Sequence, residues 1–434
     1  VAEETVDRMP RLRYALYDVS QIAAIAGAAL TAFGVAGTVV ATGMDHAFAN
    51  VVRTTETYLD ATGRSVVSLR KEFDELFATM PTSWGNLTEI GTLAGQLNIA
   101  SDSVGEFTKL VQQFASSTNV SVEASATAFG RLSQILRVPA SEFENLGSSI
   151  LTVGVNSVAT ESQIIAISQN IAGIAVTAGL TADQVFGLSA ALASLGTPPE
   201  LSRGVVTRLF TNIMTAINES GDSLDQFARY AGMSAEQFAE AWGRDATGAL
   251  YELMKGIGQL DSQAQLSALN NLGINQVRDI PAVLRLAQNY DILGQSLADA
   301  ADGYREGTAL SEHYGVISET VASRIEILKN NFQLLMASFS VGEAIVRGVV
   351  DILTHLVNGL RGLIELPVIG HFTQFGLILT ALTGPVLILV GALTRLFGSV
   401  LGIRQVLIEA GNNLRVFTAQ TNVATLSTGN LTKA

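Results

Sequence analysis

The chain has 434 residues, enough for two or three domains. Hydrophobic residues make up 48% and charged ones 15%, against roughly 25% charged in ordinary globular domains, so much of the surface must face another chain, a lipid or a lumen. A formal charge of −13 argues against a sequence-independent DNA binder, and the lack of cysteine excludes disulfides and thiolate metal sites. The first residue is Val1 and not Met, which reads as a processed chain or a fragment of something longer.

Residues Val1 to Tyr17 carry mixed charge, and none follows from Val19 to Met44. That run is long enough for a bilayer span, but its content is Ala and Gly. Ala24, Ala28, Ala32 and Ala36 form a line of small residues that lets two helices approach closely. A packed helix, a membrane-capable helix and, less well, a secretory signal all fit it. Ala47 to Met80 reads as an amphipathic helix pair with a break at Gly63. Pro81-Thr82-Ser83-Trp84-Gly85 closes this first domain, residues 1–85.

From residue 86 to 317 capping boxes recur: Ser141 with Glu144, Thr160 with Gln163, Thr181 with Gln184, Ser234 with Gln237, and Ser262 with Gln265. Repeated short helices with glycine-rich joints predict a compact all-α array. The β-branched cluster Val153 to Val158 has no hairpin turn beside it and reads as a loop or helix end. Glu142 and Glu144 sit at a helix start, where carboxylates offset the macrodipole.

The array is organised around Gly179 to Met214. Thr181 starts a helix with Val185, Leu188, Leu192 and Leu195 on one side, and Gly196-Thr197-Pro198-Pro199 stops it. Gly196 is expected in a left-handed conformation, whereas Gly303 is expected in an exposed loop. A second helix restarts at Pro199 or Glu200, with Val205, Leu209, Ile213 and Ile217 stepping by four. A helix ending Ala-Leu-Ala-Ser-Leu-Gly, a short turn and an Arg-Gly-Val-Val-Thr-Arg-Leu-Phe helix resemble the core of bacteriophage tail tape measure proteins. Leu146 to Ala178 upstream, and Leu224 to Trp242 and Asp245 to Leu286 downstream, extend the resemblance over roughly residues 100 to 340.

Residues 318–365 change pattern. Val321, Ile325, Leu328, Phe332, Leu335, Phe339, Gly342, Val346, Val349, Leu353, Leu356, Leu360 and Leu363 alternate steps of four and three, the seam of a coiled coil. Two readings stay open: self-association of a long helix along this seam, or one long helix lying on a globular core. Residues 366–410 hold the most lipid-like stretch, with Phe375, Leu379, Leu382, Leu387, Leu389 and Leu393 around a Gly384-Pro385 break. It reads as a membrane-capable segment or a buried core helix. Residues 411–434 form a polar tail.

The histidines His46, His313, His355 and His371 are scattered singly, and neither a nucleophile elbow nor a phosphate-cradling loop is present. No cofactor, metal or catalytic role is expected. The predicted fold is all-α, an array of short helices followed by a long coiled-coil-like helix and hydrophobic helices. The resemblance implies a structural protein of the virion that occupies the tail lumen, sets tail length during assembly and helps DNA cross the host envelope. It also implies other copies of itself, tail tube and tail tip proteins and the host membrane as partners, without specific nucleic-acid binding. The alternative is a membrane-inserting or pore-forming protein with a hydrophobic helical hairpin.

Overall fold

The computed structural model describes residues 38–55 and 66–338, and every regular element among them is helical. The all-α expectation holds for these residues. Most of the 19–44 run, the Gly63 break and everything from Phe339 onward lie outside them. The chain divides into two compact units. The described part of one comprises 38–52, 66–88 and 318–338, and that of the other comprises 53–55 and 89–317.

The first unit is built on aromatic rings. Helix α1 (38–55) supplies Phe48, α2 (Val66–Thr79) supplies Phe73 and Phe77, and α3 (Trp84–Gln96) supplies Trp84. Phe48, Phe73 and Phe77 each lie 5.4–6.4 Å from Trp84, and the indole N–H donates to the Met44 carbonyl at 3.0 Å. Arg70 covers this cluster from outside, 4.8 Å from the Trp84 ring centre. Its guanidinium is fixed there by Asp45 at 2.6 Å and Asp74 at 3.0 Å.

The second unit takes the remaining short helices in turn. They are α4 (Val104–Ser117), α5 (Val122–Leu136), α6 (Phe143–Asn156), α7 (Glu161–Thr177), α8 (Ala182–Ser194) and α9 (Pro199–Glu219). Next come α10 (Asp222–Tyr230), α11 (Ala235–Arg244), α12 (Ala246–Gly258), α13 (Ser262–Asn271) and α14 (Ile280–Gln288). The chain then returns through α15 (Tyr290–Glu306) and α16 (Ala309–Ser318).

Helix α8 is the centre. Not only Val185, Leu188 and Leu192 but also Phe186, Gly187, Ser189 and Ala190 to Ala193 are buried, because α6, α7 and α15 surround it. Leu195 is half-buried at its end. A helix enclosed on several sides requires small residues wherever a neighbour's backbone comes close. At Gly187 a Cβ would lie 2.8 Å from the Ser296 carbonyl oxygen, so α15 rests directly on the backbone of α8. The buried Ser189 hydroxyl is kept in hydrogen bonds, donating to Val185 O at 2.7 Å and accepting from Ser168 Oγ at 2.9 Å.

The return helix corrects one expectation. Gly303 is not in an exposed loop: it is buried within α15, where a Cβ would meet Thr152 Oγ1 at 2.6 Å and Ser148 O at 3.0 Å. Asp299, Asp302 and Arg305 give this segment a loop-like look. Leu293, Ser296, Ala300 and Gly303 nevertheless recur at helical spacing and form the buried side. Ser149 Oγ donates to Ala300 O at 2.8 Å, and the Tyr304 hydroxyl donates to the Glu142 carboxylate at 2.6 Å. Burial, then Glu142, pushes the Tyr304 hydroxyl well above its ordinary ionisation range.

Helix ends follow local chemistry with two exceptions. Complete capping boxes form at Thr160 with Gln163 and at Ser234 with Gln237, and Gln184 Oε1 accepts from Thr181 N–H at 3.1 Å. At Ser141 the expected box is absent: Pro139 opens a 3-10 turn, Ala140–Glu142, and α6 begins at Phe143. At the last site the cap is Asp261, whose Oδ1 accepts from Gln263 N–H and Ala264 N–H. Ser262 is therefore already helical, and Gln265 turns instead to the carbonyls of Gly258 and Leu260. Gly196 has φ +70°, as expected, with Gly196 N–H bonded to Ala193 O and Thr197 N–H to Leu192 O. The same paired bonds end helices at Gly179, Gly232 and Gly273. Two of these joints repeat a hexapeptide almost residue for residue, Gly179-Leu-Thr-Ala-Asp-Gln184 and Gly232-Met-Ser-Ala-Glu-Gln237. The Val153 to Val158 cluster forms the last turns of α6 and the bend after it, with Val155 and Val158 exposed.

Helix α17 (Val321–Ser338) belongs to the first unit and packs against α2. Asn330 and Asn331 are both 1% exposed, yet neither is short of acceptors. Asn330 Nδ2 lies within 3.2 Å of the carbonyls of Phe77, Met80 and Thr82, and Asn331 Nδ2 lies 2.8 Å from that of Ala78. The carbonyls that α2 cannot pair at its own C-terminus are thus met from a distant helix.

Candidate functional site

Among the described residues an open groove of about 560 Å³ along α9 is lined by three arginines. Pro199 occupies the first turn of α9, where its missing N–H costs nothing. Val205, Leu209 and Ile213 are buried on one side, which turns Arg203, Thr207, Arg208 and Thr211 into the groove. The opposite wall is Arg278, from the segment between α13 and α14.

A buried carboxylate ties the walls together. Asp279, 1% exposed, accepts from Arg208 Nε at 2.7 Å and faces Arg278 Nε at 3.4 Å. Its backbone also opens α14, and Asn212 Nδ2 anchors the same segment by donating to Leu272 O at 2.9 Å. Asp279 hydrogen-bonds Arg208 through Nε and lies only at ion-pair distance from Arg278, so the terminal Nη groups of both remain for the groove. A Cβ at Gly204 would lie 3.5 Å from Arg278 Nη2, an ordinary van der Waals contact, which places that guanidinium over this part of α9. Glu200 is the one acidic residue in the lining. The arrangement presents forked hydrogen-bond donors and holds no nucleophile paired with a base. Among the described residues no three His, Asp or Glu side chains are grouped so as to hold a metal ion.

The predicted oligomerisation seam is described only as far as Ser338. Leu328 and Leu335 are buried within the chain, while Val321, Ile325 and Phe332 are half-buried. The buried side of α17 is completed by Asn330, Asn331 and Leu334, which lie off the seam. Phe339, Val346, Val349, Leu353, Leu356, Leu360 and Leu363 lie outside the described residues, as do the membrane-capable positions Phe375, Leu379, Leu382, Pro385, Leu387, Leu389 and Leu393. Among the described residues no helix is long and apolar enough to cross a membrane. The groove itself was not anticipated. Arg203, Thr207, Arg208 and Thr211 do leave a signal, a polar stripe stepping by four, one and three along α9, but nothing local marks Arg278 as their neighbour.

The sequence profile of the phage-related minor tail protein family matches residues 70–273. The matched span runs from α2 to the end of α13 and contains the central helix, the Gly196 turn and α9. Just under half of the chain is thus similar to phage minor tail proteins. A "Probable tape measure protein" of Halomonas phage phiHAP-1 is 24% identical over 261 residues, which is 57% of this chain and 30% of that relative. The chain thus spans less than a third of that relative's length. No solved structure matches the chain significantly. The family match ends short of Arg278, Asp279 and the return helix α15, although the compact unit runs on to residue 317. The pore-forming alternative gains no support from these relatives.

Proposed function

We propose that this chain is a structural segment of a tape measure protein of the phage minor tail protein family. It sets tail length during assembly, occupies the tail lumen and assists DNA passage across the host envelope. The match of residues 70–273 to the family, together with the likeness to the Halomonas phage protein, carries this reading. Its partners are other copies of itself, tail tube and tail tip proteins, and the host membrane, with the chain in the virion tail until delivery.

In this reading length measurement is tied to extended helix. A ruler works because an extended helix rises about 1.5 Å per residue. Residues 89–317 do not extend in that way, since α15 lies back against α6 and α8. In this reading the compact units are folded modules, and the ruler is supplied by heptad-patterned sequence beyond α17, such as 339–365. An in-frame duplication of residues 339–365 in the parent protein should lengthen tails by about 40 Å in electron micrographs. Unchanged tail length in assembled virions would remove the ruler role from that segment. For delivery, Leu387→Arg should leave tail length normal and block release of DNA into the host. Normal infection by that variant counts against a membrane role for 366–410.

A further inference from the structure

We propose that the α9 groove is a docking site for an acidic polypeptide segment, which it holds through paired guanidinium–carboxylate contacts. The argument starts from what the groove costs. A chain with 39 acidic and 26 basic residues brings Arg203, Arg208 and Arg278 to one groove and buries Asp279 beneath two of them. Mere neutralisation of Asp279 needs only one arginine. The second, Arg278, lies 3.4 Å from the same carboxylate with its side chain exposed, and Arg203 adds a third, exposed guanidinium on α9.

The geometry favours carboxylates. With its Nε engaged by Asp279, Arg208 offers its Nη edge, and the exposed guanidinium groups of Arg203 and Arg278 present the same fork, which pairs with both oxygens of a carboxylate. The hydroxyls of Thr207 and Thr211 add short-range donors along the same wall. Charge alone fits a phosphate equally well, and three further observations separate the classes. The site is short and walled, whereas a nucleic-acid surface needs a run of cations tracking the backbone. The whole chain carries −13, which repels a long polyanion but tolerates a short acidic stretch seated locally. Val277, next to Arg278, is 85% exposed and offers an apolar contact that a side chain can use and a sugar–phosphate backbone does not.

The test is fluorescence anisotropy at low ionic strength with the full chain and a fluorescein-labelled octaglutamate peptide. Saturable binding is expected, weakened at least tenfold in the Arg203→Gln/Arg278→Gln double variant. Both residues are exposed, so the melting temperature of the variant should match the wild type. Arg131→Gln, an exposed arginine on α5, should bind as the wild type does. Absence of saturable binding by the wild type, or undiminished binding by the double variant, would overturn the proposal. So would a labelled oligothymidylate that binds in place of the peptide and depends on the same arginines. None of these outcomes depends on tail length, so the proposed tail function stands or falls separately.

Discussion

The side-chain amide of Asn330 lies 2.7 Å from the carbonyl oxygen of Thr82, a residue 248 positions earlier in the chain. Together with Asn331 it closes the C-terminal end of α2, where intrahelical partners have run out. A buried carbonyl left without a donor costs about 1–3 kcal/mol. Asn330→Leu keeps the volume and removes the donor, so thermal unfolding of the full chain should show a loss in that range. Lys329→Ala, on the exposed side of the same helix, should change little. Equal melting temperatures for Asn330→Leu and the wild type would show that these contacts contribute nothing.

Four glycines should respond differently to a methyl group. At Gly196 the space is open but φ is +70°, so Gly196→Ala should cost about 1 kcal/mol through backbone conformation. At Gly187 and Gly303 the conformation is helical and the obstacle is a neighbouring helix, so alanine forces α15 away from α8 or α6, at about 1–3 kcal/mol. Gly173 is exposed in α7 with no atom near its missing Cβ, and Gly173→Ala should stabilise by about 0.5–1 kcal/mol. Urea unfolding of the four variants checks the order. A destabilised Gly173→Ala, or a neutral Gly187→Ala, would contradict it.

Tyr314 on α16 carries a buried hydroxyl with no hydrogen-bond partner among the described residues. Removing an unsatisfied group relieves its desolvation cost, so Tyr314→Phe should stabilise the fold by about 1 kcal/mol. Burial also raises the ionisation of this hydroxyl above the ordinary value of 10.0. The folded state therefore resists losing a proton that the unfolded state gives up, and the wild type loses stability as pH rises past 10. The advantage of Tyr314→Phe should widen in that range. A variant that melts below the wild type at pH 8 would show the hydroxyl to be satisfied.

The two readings of the 318–365 seam now make distinct predictions. Leu335 is 0% exposed within the chain, so Leu335→Asp should unfold the first unit whether or not copies associate. Phe332 is half-buried on the seam, and Phe332→Asp leaves more of the local packing intact. If the seam joins copies, sedimentation should show a lower mass for Phe332→Asp with helicity preserved. A wild-type chain that already sediments as a monomer would remove the seam as a self-association surface.

Much of the site's scaffold was legible locally. The start of α9 at Pro199 and the stop at Gly196 depend on residues within one turn, so the sequence announces them. The groove was not legible, because Arg208 and Asp279 are 71 residues apart and helical periodicity says only that Arg208 borders the apolar face of Val205 and Leu209. The two misplaced caps have a similar origin. Ser262 has the right type and spacing, but Asp261 stands one residue nearer the preceding turn and accepts two N–H groups where a hydroxyl would accept one.

By itself, the sequence determined that the described residues are helical, where several of the helices begin, among them those capped at Thr160, Thr181 and Ser234, that Gly196 stops α8, and which faces of α8 and α9 are apolar. These properties rest on backbone conformation and hydrogen bonds spanning three to five residues, whose energetics need no distant partner. Only the tertiary structure decided that α8 is enclosed, that Gly303 lies inside a helix against Thr152, that Asn330 ends α2 and that Asp279 gathers two arginines. Each of those depends on segments far apart in the chain meeting at van der Waals or hydrogen-bond distance, and small or polar residues give no periodic sign of which partner they will meet.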